Sequence, residues 1–555
     1  MKKIYTLISV LACAATLVSC SKFLKEDNPS GVTADTFYVT ESGAEAGVKS
    51  CYTFMRLYYG KEVGYHMSEL GTDIITAGDG CTGPEFSNYG MSLSSASSGN
   101  ADIWKAWYLA LNTCNEVLDK LPESPLPEAT KKIRLGEVHF LRAFYLWHIV
   151  NTWGGVVLNT TPTTSPVTEL HRSSVEEFYA VIKKDLEYAV ANCPVTTNEY
   201  GRVTRGAAQA LSARVYLYTK EYATALEFAK AVISSGQYSL AENFSELVDI
   251  KTCNGLKENI FVCNYASQAN NNFNNSVTQG PDGKDMTIRN GGNNAHMFFT
   301  MTYDQVTDRN GEKPVNRCIE YGRPFNRFMP TLYYLDLFDE TIDSRYDATI
   351  RQEWICNRKT SLVDVGDVAI IFSKYDVPDE VKDASPAIIL DRSYVYNADG
   401  TVRNGKFNYA FTKFEDPTRG AVNDQHSGRD CVIIRLAEMY FIAAEASMYQ
   451  NDNSAAAEYL NVIRRRAAIP GHEKDMEITA ADVNIDFILD ERGRELAGEM
   501  TRWFDLVRTG KLVERLKAHN PNATGIADYH TLRPIPQTTL DAVTNPDEFK
   551  QNPGY

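Results

Sequence analysis

Gly78-Asp79-Gly80-Cys81-Thr82-Gly83 spells G-x-G-x-x-G, the spacing with which a strand–turn–helix unit brings backbone amides to a pyrophosphate. That chemistry needs a helix opening within the run, so that its first amides meet the anion. Pro84 follows at once, and Glu85-Phe86-Ser87-Asn88-Tyr89-Gly90 after it predicts no helix. The run reads as a polar loop, and no cofactor is expected. Asp308-Arg309-Asn310-Gly311 shares part of a calcium-loop pattern. With Gly311 at position six, Val306 and Arg317 occupy positions one and twelve, where carboxylates belong. An EF-hand is excluded; Asp304, Asp308 and Glu312 remain as candidate ligands of some other calcium site. The nine histidines form no H-E-x-x-H or H-x-x-x-H pair, and neither a G-x-S-x-G elbow nor a Walker loop occurs. His148 falls on an apolar helix face, the place of a satisfied core residue.

The N-terminus carries a different chemistry. Met1-Lys2-Lys3 is a positive n-region and Ile4 to Val18 an apolar stretch, too short to cross a ~30 Å hydrocarbon core comfortably. It ends in Leu17-Val18-Ser19-Cys20, which resembles the bacterial lipobox, where the cysteine thiol is lipidated and becomes the first residue. Residues 1–19 are then a signal peptide and 20–40 a lipidated tether. The Lys25-Glu26-Asp27 run resembles an export signal that moves lipoproteins to the outer face of the cell. No later apolar run reaches ~18 residues, so the mature chain is anchored and does not span. Nine of the eleven cysteines lie beyond Cys20, and an odd number at wide spacing with no C-x-x-C argues against a disulfide framework. Acidic residues outnumber basic ones 71 to 56, so nucleic acid is not an expected partner.

Two helical zones must position whatever the chain does. Ile103, Trp107, Ala110, Cys114 and Leu118 recur at helical spacing until Pro122. Val138, Leu141, Tyr145 and His148 mark a second helix ended by Trp153-Gly154-Gly155. Ser173 with Glu176 forms a candidate capping box for a third. Residues 206–219 and 222–235 predict a hairpin closed by Gly236, with Ala213, Tyr216 and Ala225 at tetratricopeptide offsets. Leu436, Tyr440, Ala443 and Ala446, then Ala456, Leu460, Ile463 and Ala467, repeat the theme up to Pro470-Gly471. The expected fold is mostly α: tetratricopeptide-like helix pairs in an α-solenoid scaffold, with a loop-rich, partly β central insertion. Its divisions are an N-terminal helical region 41–236, the insertion 237–430, a C-terminal helical region 431–520, and a tail 521–555 packed on the scaffold. Within the insertion, Tyr394 to Val402 reads as a hairpin.

Taken in order, these segments resemble the SusD/RagB family of outer-membrane nutrient-binding lipoproteins. The resemblance is carried by the lipobox with Phe23-Leu24, Trp104-Lys105-Ala106-Trp107-Tyr108, Gly136 to Ala143, and Gly201-Arg202-Val203-Thr204-Arg205-Gly206. It continues through Arg435-Leu436-Ala437-Glu438-Met439-Tyr440, Glu491-Arg492, Arg502-Trp503 and the closing Gln551-Asn552-Pro553-Gly554-Tyr555. It implies a surface receptor for oligosaccharides, occasionally peptides, lidding a TonB-dependent, SusC-like transporter in the outer membrane and facing the cell exterior. It hands over no binding site, because the family's loops vary with ligand. Glu137, Arg142, Arg435, Glu438, Glu491 and Arg492 read as paired charges fixing helix packing rather than catalytic acids and bases. A surface glycoside hydrolase using a carboxylate pair stays open beside the receptor, as does an inert scaffold.

Sugars stack apolar C–H faces on aromatic rings and need short polar partners for their hydroxyls. Two loop stretches have that mixture. Asp73 to Asn100 offers Asp73, Asp79, Phe86, Asn88 and Tyr89; Asn270 to Tyr321 offers Phe273, His296, Phe298, Phe299, Tyr303 and Tyr321. These are the expected ligand-binding residues, on exposed loops, with lipidation at Cys20 and no catalytic residue.

Overall fold

The computed structural model describes residues 37–266 and 292–555, so Cys20 and Phe273 lie outside the described residues. Helices of seven residues or more are α1 Glu41–Thr53, α2 Glu62–Ser68, α3 Ser98–Lys120, α4 Glu128–Trp153, α5 Val175–Asn192 and α6 Arg205–Tyr218. They continue as α7 Tyr222–Ile233, α8 Leu436–Tyr449, α9 Asn453–Ala467, α10 Ile485–Leu496, α11 Arg502–Arg508 and α12 Leu512–His519. From α3 to α9, each long helix packs on the next. The array is one of tetratricopeptide-like pairs, and its cause is legible on the helix faces. Ala207, Ala208, Ala210 and Ala213 of α6 and Ala225 and Ala229 of α7 have no exposed surface, and such small residues let two helix axes approach closely. The turn between them places Lys220 at φ 61, and Gly236 beyond α7 takes φ 69. The box capping α5 is Ser174 with Glu177, one position later than Ser173 with Glu176.

Helix α7 packs directly on α8 although some 200 residues separate them; the insertion loops out and returns. Its neck is a two-stranded antiparallel ribbon, β2 Asn259–Cys263 against β9 Cys431–Arg435, with Cys263 opposite Cys431. Beyond the neck the sheets among the described residues are small. Strand β1 Ile75–Ala77 pairs with β3 Phe328–Pro330, and β4 Ile350–Arg351 with β8 Ala410–Phe411. β5 Glu353–Ile355, β6 Val368–Ser373 and β7 Ile388–Asp391 form a three-stranded sheet. The β1–β3 pair stitches the N-terminal loop at 71–90 to the insertion. Of the hairpin expected at Tyr394–Val402, the bridge between Tyr396 and Val402 forms, but Arg392–Val395 is a helical turn whose N-cap is Asp391.

The motif charges are buried and paired. Arg345, with no exposed surface, meets Asp343, Glu491 and Glu495; Arg435 meets Glu258, Glu495 and Glu499. Arg214 holds Glu438 bidentately at 2.6 and 2.8 Å, and Arg492 holds Asp505. Glu137 accepts from Arg134 and Arg202, and Arg142 donates to Asp185. Burial pushes the Glu495 carboxyl up, but the Arg466, Arg435 and Arg345 guanidiniums outweigh it and hold it at about 2. Replacing such a network by apolar side chains costs little, whereas removing one partner strands a buried charge at roughly 3–5 kcal/mol. These residues therefore fix which helices meet.

Candidate functional site

The glycines of the 78–83 run are required by crowding. A Cβ on Gly78 would lie 2.5 Å from the Asn326 carbonyl oxygen, and one on Gly80 2.0 Å from that of Phe325. The insertion's backbone crosses there at contact distance, where only glycine fits. Gly83 is pressed by the His66 ring in the same way, at 2.8 Å. After Pro84, a single helical turn forms at Glu85–Asn88 where none was expected. Proline suits a first helical turn, since its missing N–H is an orphan there anyway. Tyr89 ends the turn at φ 54.

This crossing leaves a cavity of about 340 Å³, open to solvent, between the entry of α2, the 82–86 loop, the start of α3 and the insertion. Small-molecule sites are typically ~300–1,000 Å³. Its apolar wall is Leu57, Val63, Phe86, Ile103 and Phe298; its polar groups are Lys61, Glu62, Thr82, Ser98 and Asp102. Buried Lys61 donates from Nζ to Asn294 Oδ1 at 2.9 Å and to the Gly292 carbonyl, and burial pulls its ammonium down to about 7. Glu62 pairs with Arg327 at 2.8 Å and accepts from the Thr82 hydroxyl. The His66 ring stacks on Phe86 at 5.7 Å, with Arg533 5.2 Å from the Phe86 centroid. Burial, then Arg327, pulls His66 down to about 3, so it is neutral. Ser97 makes no side-chain cap to α3, leaving the first-turn amides beside Ser98 and Gly99 to solvent or ligand. Polar and apolar side chains thus share one lining, the mixture that sugar hydroxyls and C–H faces need.

Of the residues expected to meet ligand, Phe86 and Phe298 border this cavity, but both are buried in an aromatic cluster, Phe86 stacked on His66 and Phe298 edge-on to Tyr65 and Phe328. The others go elsewhere. Asp73 has no exposed surface and is clamped by Arg502 at 2.6 Å and Arg515 at 2.7 Å. Tyr89 is buried and donates to the Gly71 carbonyl; Tyr303 is buried, donates to the Gly322 carbonyl and stacks on Trp354. Tyr321 accepts from the Ile355 amide and packs edge-on to Trp354. Phe299 stacks on Phe414 at 4.3 Å, and His296 is buried beside the Asp424 carbonyl. The expectation of exposed loop rings is thus corrected for Phe86, Tyr89, His296, Phe298, Phe299, Tyr303 and Tyr321: the loops dive between scaffold and insertion, and their rings form the core there. Asp79 is exposed, and Asn88 Oδ1 accepts from the Gly90 amide, closing its own turn. The carboxylates weighed for calcium diverge. Asp304 pairs with Arg317, Asp308 closes the turn at Asn310 and Glu312, and Glu312 accepts from Ser361. Among the described residues no cluster of metal-ligating side chains exists.

Sequence reasoning missed Lys61, Glu62, Asp102 and Ile103. They sit on α3, at the start of α2 and, for Lys61, at its N-cap, flanking the marked loop that the β1–β3 pairing joins to the insertion. A second cavity, of about 290 Å³, lies between α1 and the 199–202 loop beside half-exposed Tyr200, whose hydroxyl donates to Asp430.

Residues 257–555 match the model of the SusD family, and residues 83–217 match one described as starch-binding associating with outer membrane. The chain is 24% identical to SusD-like protein P25 of Formosa agariphila, covering 97% of each. It is also 24% identical to the starch-binding protein SusD of Bacteroides thetaiotaomicron, over 76% of this chain and 72% of that one. Among solved structures, a laminarin-binding SusD-like protein superposes with a TM-score of 0.69 at 23% identity, over 93% of this chain and all of that one. Surface glycan-binding protein A of Bacteroides thetaiotaomicron, in complex with laminarihexaose, gives 0.66 at 19% identity, over 92% and 99%.

Proposed function

Because the chain belongs to the SusD family, we propose that it is a cell-surface lipoprotein that binds an oligosaccharide and delivers it to a TonB-dependent, SusC-like outer-membrane transporter. The observation that carries the reading is the family match through the C-terminal half, with a relative named for starch binding aligned over 72% of its length. The cavity above α2 supports it: it is of sugar size and lined by hydroxyl, charged and aromatic side chains. Anchoring is through lipid on Cys20. No helix among the described residues is long and apolar enough to cross a membrane. The protein holds glycan without cleaving it, in line with the relative named for starch binding; at the cavity Glu62 is engaged by Arg327 and Thr82.

Calorimetric titration of the soluble chain with starch-type and laminarin-type oligosaccharides, alongside a reducing-end assay, tests this. Heat of binding to one glycan class without new reducing ends is expected. Release of reducing ends, or no binding to any glycan tried, would refute it. Pull-down from mild detergent through a tag on this chain should recover a β-barrel transporter; recovery of the chain alone at every salt concentration would remove that part.

A further inference from the structure

The neck of the insertion brings together two of the cysteines that sequence spacing keeps far apart. Cys263 ends β2 and Cys431 begins β9, and the antiparallel register sets them directly opposite one another. Opposed residues in an antiparallel pair have Cα atoms ~4.5–5.5 Å apart and side chains on the same face. A disulfide needs Cα atoms ~4.4–6.8 Å apart, so the register meets the Cα spacing that a bridge requires. Both thiols are free in this structure, and both are buried. We propose that in the exported protein Cys263 and Cys431 close a disulfide that clasps the neck of the insertion.

The oxidant required is a disulfide, carried by a thiol-oxidising protein or a small molecule. One cysteine thiolate attacks a sulfur of that disulfide and releases one thiol. The second cysteine thiolate then attacks the protein sulfur of the mixed disulfide and releases the other. Two protein thiols and one oxidant disulfide become one protein disulfide and two oxidant thiols. The exchange belongs to folding, before the neck closes. In the folded chain burial pushes the Cys263 thiol up to about 12 and Cys431 further, and a thiol held neutral does not exchange. The bond would close a loop that includes Asn294 and Phe298, and so would hold one wall of the 340 Å³ cavity against the scaffold.

Tryptic mapping decides it without any substitution. Cys263 falls alone in the peptide 258–284 and Cys431 alone in 430–435. Protein exported to the cell envelope is denatured, alkylated and digested without reductant. The expected product is those two peptides joined, two hydrogen atoms lighter than their sum, and separated by reduction. A chain lacking residues 1–19, refolded from urea in oxidised glutathione, is expected to give the same species. Alkylation of both thiols in the exported protein overturns the proposal, whatever the refolded chain shows. So does a link from 430–435 to 252–257, which carries Cys253.

Discussion

Asp73→Asn separates a structural carboxylate from a ligand-binding one. Asp73 has no exposed surface, and its two oxygens accept from Arg502 Nε and Nη2 and from Arg515 Nε. Burial pushes the carboxyl up, but the Arg502 and Arg515 guanidiniums outweigh it and bring it from 3.8 down to about 2. At ~1.4 kcal/mol per pKa unit, that difference is about 2 kcal/mol of folding free energy. The folded-state value is depressed, so this stability is present above pH ~4 and is lost as pH falls through about 2. Asparagine removes the charge at every pH and leaves two guanidiniums buried without it, at roughly 3–5 kcal/mol. Urea unfolding at pH 7, followed by intrinsic fluorescence, should show a midpoint lowered by that amount divided by the slope, while calorimetry on the folded fraction shows unchanged glycan affinity. An unmoved midpoint, or a normal midpoint with lost affinity, would refute the assignment and return Asp73 to a ligand site.

Tyr89→Ala combined with Tyr303→Ala should cost several kcal/mol, since each change empties a buried ring site and removes a hydroxyl bonded to a carbonyl; a circular-dichroism melt that hardly moves would show those rings to be exposed. Stability should fall progressively from pH 6.5 toward pH 4. Burial, then neighbouring arginines, holds His66 and His296 at about 3 and His530 at about 4. These three sites take up protons on unfolding, and the stability they contribute above ~6.5 is lost on acidification, offset in part by Glu69 and Asp430, whose carboxyls burial raises to about 7 and about 6; a flat urea midpoint across that range would contradict it. Cys20→Ser should move the protein from the membrane to the soluble fraction on carbonate washing, and full retention would argue against lipid anchoring at that residue.

The scaffold was legible because helix packing writes itself locally: the three- and four-residue recurrence through Ile103, Trp107 and Cys114 is enough to place α3. The capping box slipped by one because Ser173 and Ser174 are each followed by glutamate three residues on. What sequence could not show is pairing at long range. The partners of Asp73 lie more than 400 residues away, and a lone aspartate in a glycine- and threonine-rich loop looks like a surface group until Arg502 and Arg515 are brought to it. The same holds for the tyrosines. Polar, glycine-rich flanks suggested exposed rings, yet the glycines serve close chain crossings, and each phenol finds a backbone partner in the interior. The packing of α7 on α8 across the whole insertion is of this kind too. Of the cavity, the two marked loop stretches supplied Thr82, Ser98, Phe86 and Phe298, while α2 and Asp102 came only with the fold.

We propose that glycan is held in the cavity above α2. Ser98 is exposed at its rim on the first turn of α3, so Ser98→Trp places an indole in the cavity without disturbing the core. Affinity electrophoresis of the soluble chain and this variant through gels containing the cognate polysaccharide, with matched melting curves, tests the claim directly. Retardation of the wild-type chain, free migration of Ser98→Trp and equal melting temperatures are expected. Equal retardation of both proteins would place the glycan elsewhere and contradict it.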